Sequence, residues 1–154
     1  MSDNKFYLTK QGHEKVKREY AKLLEFKKLK TKGEVPSIWH SEEVNPEYLA
    51  FQEDMSLLEA RLAEYDNIIK NVELITTPPK EERNVVCLGA KVLVEVEDEK
   101  DEFMIVGTIE ANPAAGMISN ESPVGKALLG KKKGETVLVH SSVAVAYTIL
   151  KISY

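Results

Sequence analysis

The stretch Pro46–Val72, PEYLAFQEDMSLLEARLAEYDNIIKNV, decides how the chain is read. Apolar residues recur at Tyr48, Phe51, Met55, Leu58, Leu62, Tyr65, Ile69 and Val72, in steps that alternate three and four. That alternation is a heptad seam, which keeps one narrow apolar stripe on one side of a helix where a second helix can cover it. Asn45 stands where it can cap the first turn. Pro46 takes the first helical position, where a missing N–H has no intrahelical partner to lose.

Upstream, Thr9 is placed as an N-cap with Leu8 before it, and Val16, Tyr20, Leu23 and Phe26 give a second helical stripe. The pattern then dissolves into lysines, and Gly33 and Pro36 end it. The two helices therefore predict an antiparallel coiled-coil hairpin with its tip near residues 39–45. Such a hairpin buries one stripe only, so it needs a second body to anchor it, or it serves to reach something.

Downstream, Thr76-Thr77-Pro78-Pro79 stops the helical pattern, since two prolines cannot continue a helix. Beyond it the period becomes two. Ala90, Val92, Val94 and Val96 alternate with Lys91, Leu93, Glu95 and Glu97, and strand-like runs follow at 103–106, 136–140 and 143–152. One short helix interrupts them, with Ser122 as cap, Pro123 as first residue and Gly130 as stop. The expected class is α+β: a hairpin over residues 1–77, then a small β-rich domain over residues 78–154.

The chain has 154 residues and a formal charge of -4, which gives no case for a general nucleic-acid coat protein. That average conceals a separation. From Lys10 to Lys32 nine Lys/Arg stand against three Glu, a net +6; from Glu34 to Asp66 nine Asp/Glu stand against one Arg, a net -8. Two readings stay open: pairing across the seam, or a basic flank for phosphates with an acidic end for a metal ion. The single Cys87 excludes an internal disulfide and a cysteine zinc site; its apolar neighbours predict a buried small hydrophobe. The polar start, and the lack of an apolar run of roughly 20 residues, point to a cytoplasmic protein.

Several of these residues resemble the Gre transcript-cleavage factors. The resemblance rests on Ile105-Val106-Gly107, Glu110-Ala111, Ile118-Ser119 and the run Ser122-Pro123-Val124-Gly125-Lys126-Ala127-Leu128-Leu129-Gly130-Lys131. In the hairpin it adds Leu8-Thr9-Lys10-Gln11-Gly12 and Asn45-Pro46-Glu47-Tyr48. It implies an FKBP-like C-terminal domain that docks on the rim of the secondary channel of bacterial-type RNA polymerase, with Ser122, Pro123 and Lys126 as contact residues. It implies a hairpin that enters the channel and brings tip carboxylates to the nascent RNA 3′ end. There they help hold a Mg²⁺ ion shared with the polymerase, which then cuts its own backtracked RNA. The resemblance thus implies a monomer that binds no cofactor alone, works away from membranes and is not itself an enzyme.

The tip departs from the family pattern Gly-Asp-Leu-Lys-Glu-Asn. Aligned on Asn45, this chain reads His40-Ser41-Glu42-Glu43-Val44-Asn45, with Ser41 in place of the Asp and Val44 in place of the Glu. Glu42 and Glu43 are the remaining candidates for the metal. Trp39 is a candidate to cap the tip or to touch the polymerase. Gln52 stands where relatives carry a basic residue, and Lys27, Lys28, Lys30 and Lys32 are the candidates for RNA phosphates. Three functions follow: a cleavage-stimulating factor, a non-cleaving channel occupant that inhibits or competes, and an FKBP-like chaperone or prolyl isomerase. The last needs an aromatic pocket, and residues 84–154 offer only Phe103, Tyr147 and Tyr154.

Overall fold

The structure, a computed structural model, describes residues 5–33, 35–40, 43–140 and 143–154, with the backbone alone at Trp39 and His40. In chain order, β1 (Phe6–Leu8) leads into α1 (Lys10–Lys32). Then come β2 (Trp39–His40) and β3 (Glu43–Val44), α2 (Pro46–Lys70) and β4 (Val72–Leu74). The remainder holds β5 (Lys91–Val96), β6 (Glu99–Val106), β7 (Met117–Ser119), α3 (Pro123–Leu128), β8 (Thr136–His140) and β9 (Ala144–Ser153).

Two compact units result. One is His13–Asn71; the other joins Met1–Gly12 to Val72–Tyr154. The division differs from one at residue 77, and strand pairing is the reason. β1 and β4 pair in parallel, Phe6 with Val72 and Leu8 with Leu74, which draws the first residues into the β-rich unit. The same pairing takes Val72 out of the heptad seam. α2 ends at Lys70 with Asn71 as its cap, so the last apolar step belongs to a strand.

Within the hairpin unit the helices run antiparallel, because Glu19 meets Tyr65, Lys27 meets Glu59 and Lys30 meets Asp54. Leu58 and Leu62 of α2 are buried, with Val16 of α1. The other seam residues of α2, Tyr48, Phe51, Met55, Tyr65 and Ile69, are half-buried, as the heptad spacing predicts. Tyr65 donates its hydroxyl to Glu19 at 2.7 Å, and that bond to a carboxylate, then burial, raises its pKa above the usual phenol value. On α1 the expected stripe fails at Phe26, which is 54% exposed. Lys27 and Lys30 continue the covered face instead, their aliphatic stems lying along it while their ammonium groups reach acids of α2.

The β-rich unit holds a five-stranded sheet of order β7-β6-β5-β9-β8, antiparallel except for the parallel pair β6 and β7. Its core is Val86, Ala90, Val92, Val94, Ile105, Ile118, Leu128, Val137 and Ile149. Ala90, Val92 and Val94 are buried while Lys91 and Glu95 are exposed, which is the period-two reading realised. Glu97 and Asp98 join β5 to β6 with φ of 51° and 65°, the paired left-handed residues that a two-residue hairpin turn needs to match strand twist. Cys87 is half-buried rather than buried. Its backbone N–H donates to the Tyr154 hydroxyl at 2.9 Å, and that hydroxyl donates to the Val85 carbonyl at 2.6 Å. Burial first, then the Cys87 side chain, pushes the Tyr154 phenol up to about 12, against the Cys87 N–H bond, which lowers it.

Candidate functional site

The hairpin tip is closed by a two-step antiparallel ladder. Trp39 pairs with Val44, and His40 with Glu43. Asn45 then bonds both to the chain before the tip and to the helix after it. Its N–H donates to the Ile38 carbonyl at 2.9 Å, its side-chain amide donates to the Ser37 carbonyl at 2.9 Å, and its side-chain oxygen accepts from the Glu47 N–H at 3.1 Å. The residue that caps α2 thus also ties the tip to the chain arriving from α1. Pro46 follows at the first helical position, as expected.

The ladder decides where the tip side chains go. Successive strand residues point to opposite faces, so Glu43 and Val44 diverge, and both are exposed. Val44 is 42% exposed, an apolar side chain at the position where the resemblance implies a metal ligand. Ser41 and Glu42, which stand between the paired residues in sequence, lie outside the described residues. Among the described residues no cluster of His, Cys, Asp and Glu is arranged to hold a metal ion. A carboxylate oxygen is the hard donor that Mg²⁺ takes, but Glu43 offers one side chain to an ion that wants six ligands. The donor type fits; the rest of the shell must come from elsewhere.

The four candidate lysines divide. Lys30 bonds to Asp54 at 2.9 Å and lies 5.8 Å from the centres of both the Phe26 and Phe51 rings. Lys27 lies 3.7 Å from Glu59. These two serve the seam, so part of the charge separation is pairing between the arms. Lys28 and Lys32 are exposed, in the last turns of α1.

On the β-rich unit, the Ser122 hydroxyl accepts from the Gly125 N–H at 3.1 Å and donates to the Ser119 carbonyl at 2.6 Å. Its polar atoms are spent on starting α3. A Cβ at Gly125 would overlap the Ser119 carbonyl, which is why glycine stands there. Pro123 and Lys126 are exposed, three residues apart and so on one face of the helix. Phe103, Tyr147 and Tyr154 pack against the core.

The family profile described as transcription elongation factor, GreA/GreB, C-term matches residues 80–154. Transcription elongation factor GreA of Thermomicrobium roseum is 36% identical over 143 residues, covering 92% of this chain and 92% of its own length. The GreA of Nautilia profundicola is 37% identical over 152 residues, covering 96% and 93%. The chain belongs to the GreA/GreB transcription elongation factor family. Among solved structures, GreA factor homolog 1 of Thermus thermophilus is 23% identical, with 98% of this chain and all of that one covered, at a TM-score of 0.43.

Two of the runs that resemble the GreA/GreB family meet in space, which sequence reading missed. Glu110 accepts hydrogen bonds from the backbone and hydroxyl of Thr9. A Cβ at Gly107 would overlap the Tyr7 carbonyl, so β1 comes up against bare backbone there. The visible signal was at Gly12: three residues after a capping threonine, an acid or amide is the usual partner, and this chain has none.

Proposed function

We propose that this chain acts on bacterial-type RNA polymerase as an elongation factor, with the hairpin entering the secondary channel and the β-rich unit, an FKBP-like domain in this reading, docking at its rim. The observation that carries the proposal is the laddered tip, which ends a long two-helix arm in an exposed carboxylate, Glu43. Membership of the GreA/GreB family supplies the partner. Glu43, with Glu42 beside it in sequence, gives oxygen donors to a Mg²⁺ ion whose other ligands belong to the polymerase. When bound, that ion stabilises the charge that develops as water attacks an RNA phosphodiester. The chain's own residues do the positioning: Asn45 fixes the tip, and Pro123 and Lys126 face the docking partner. Lys28 and Lys32, exposed in the last turns of α1, are the cations for RNA phosphates near the 3′ end. The factor then has no turnover of its own and works in the cytoplasm as a monomer.

Val44 supports a second reading. An apolar, exposed side chain at a ligand position suits a factor that fills the channel without helping cleavage, and so competes with cleaving relatives. RNA cleavage in a purified backtracked elongation complex with Mg²⁺ decides between the two. A cleavage factor speeds the reaction, and Glu42→Ala/Glu43→Ala abolishes the gain. A channel occupant gives no stimulation yet blocks a cleaving relative added alongside.

A further inference from the structure

Phe26 and Leu57 are 54% and 68% exposed, and they are not scattered. They line one groove between α1 and α2, beside the better covered Leu23 and Leu58. A single apolar residue on a surface is ordinary; a continuous apolar groove marks a contact. Charge frames this one. Lys22 lies four residues before Phe26 and Glu64 seven after Leu57, so each shares a helix face with its apolar neighbour. Because Glu19 meets Tyr65 and Lys27 meets Glu59, Lys22 stands level with Glu64 along the hairpin. Both are exposed, and neither has an ion pair among the described residues.

We propose that this groove is covered, in the free protein, by the same groove of a second copy. The partner it fits must offer an apolar centre, a basic flank opposite α2 and an acidic flank opposite α1, all in register. A second copy turned about a two-fold along the groove offers all three. That rotation keeps every residue at its level and exchanges the arms, so α1 of each copy lies on α2 of the other, with both tips at one end. Phe26 then meets Leu57 of the second copy, and Lys22 meets its Glu64. The basic arm, net +6 from Lys10 to Lys32, covers the acidic arm, net -8 from Glu34 to Asp66. The product is a four-helix bundle with every helix antiparallel to its neighbours, which buries the second stripe that two helices alone leave open. The pair is a resting state of the free chain and depends neither on the Mg²⁺ chemistry nor on polymerase binding.

The test is sedimentation equilibrium of the full chain over a wide range of concentration, with circular dichroism to check that each variant keeps its helices. The parent is expected to pair, and Leu57→Ser to weaken the pair about tenfold or more. Lys22→Glu and Glu64→Lys, each alone, set like charges against each other and weaken it several-fold. Mixed in equal amounts, these two variants should pair again, because Glu at position 22 of one chain then meets Lys at position 64 of the other, and Glu64 meets Lys22. Only a contact between two chains with α1 on α2 gives that rescue. A parent that remains a single chain up to about 1 mM overturns the proposal. So does a mixture that pairs no better than either variant alone, which would mean that the groove takes a different partner or that like helices pack together.

Discussion

The two units bury their apolar residues to very different degrees. In the β-rich unit Ala90, Val92, Val94, Ile105 and Leu128 have no exposed surface at all. Among the described residues of the hairpin, Val16, Leu58 and Leu62 are the buried apolar ones, while Phe26, Leu29, Leu49 and Leu57 stand 49–68% exposed. A sheet with a helix against it can close a core on all sides; two helices can only cover one stripe of each other. The β-rich unit therefore holds a closed core, and the hairpin a single covered stripe.

The largest effect should come from challenging that contrast directly. Leu128→Ala is expected to destabilise the β-rich unit by about 2–5 kcal/mol in urea unfolding, with Leu58→Ala at or below the low end of that range, since the hairpin seam can collapse around a small gap. An equal loss at both sites would break the comparison. Tyr154→Phe comes next, at about 1–3 kcal/mol, because it leaves the Val85 carbonyl and the Cys87 N–H without their partner. A raised phenol pKa means the folded state favours the neutral form. Its stabilisation is therefore full below pH 10 and lost as pH rises through about 12. Unfolding curves across that window should fall less steeply for Tyr154→Phe than for the parent. The smallest effect belongs to the hairpin surface. A double-mutant cycle on Lys30 and Asp54 should give a coupling of roughly 0–1 kcal/mol that shrinks with added salt. Lys28→Ala, with no ion pair to an acid of α2 among the described residues, should serve as the silent control for stability, so that any loss it causes in an RNA cleavage assay reports on a contact outside the chain.

What was legible in the sequence follows from how local each signal is. The seam of α2, the Asn45-Pro46 start and the Ser122-Pro123 start could be read because each is written within a few residues of itself. β1, β4 and β7 could not, being three residues long and dependent on partners elsewhere in the chain. The stripe on α1 was misread at Phe26 because a lysine stem covers a seam as well as a ring does, and the pattern of apolar letters does not show it. At the tip, the Asn45 cap was readable. The ladder that fixes them was not, since two-residue strands leave no period to detect. The tie at Glu110 was half-written: the gap at Gly12 was visible, and the residue that fills it was not.

That tie also bears on how the protein is made. Leu8 accepts from the Ile75 N–H, and Thr9 must wait for Glu110. At about 5–20 residues per second of synthesis, the hundred-residue interval is a delay of roughly 5–20 s. β1 can pair with β4 as soon as Val72–Leu74 has been made, directly after α2, while the carboxylate that caps α1 is still to come.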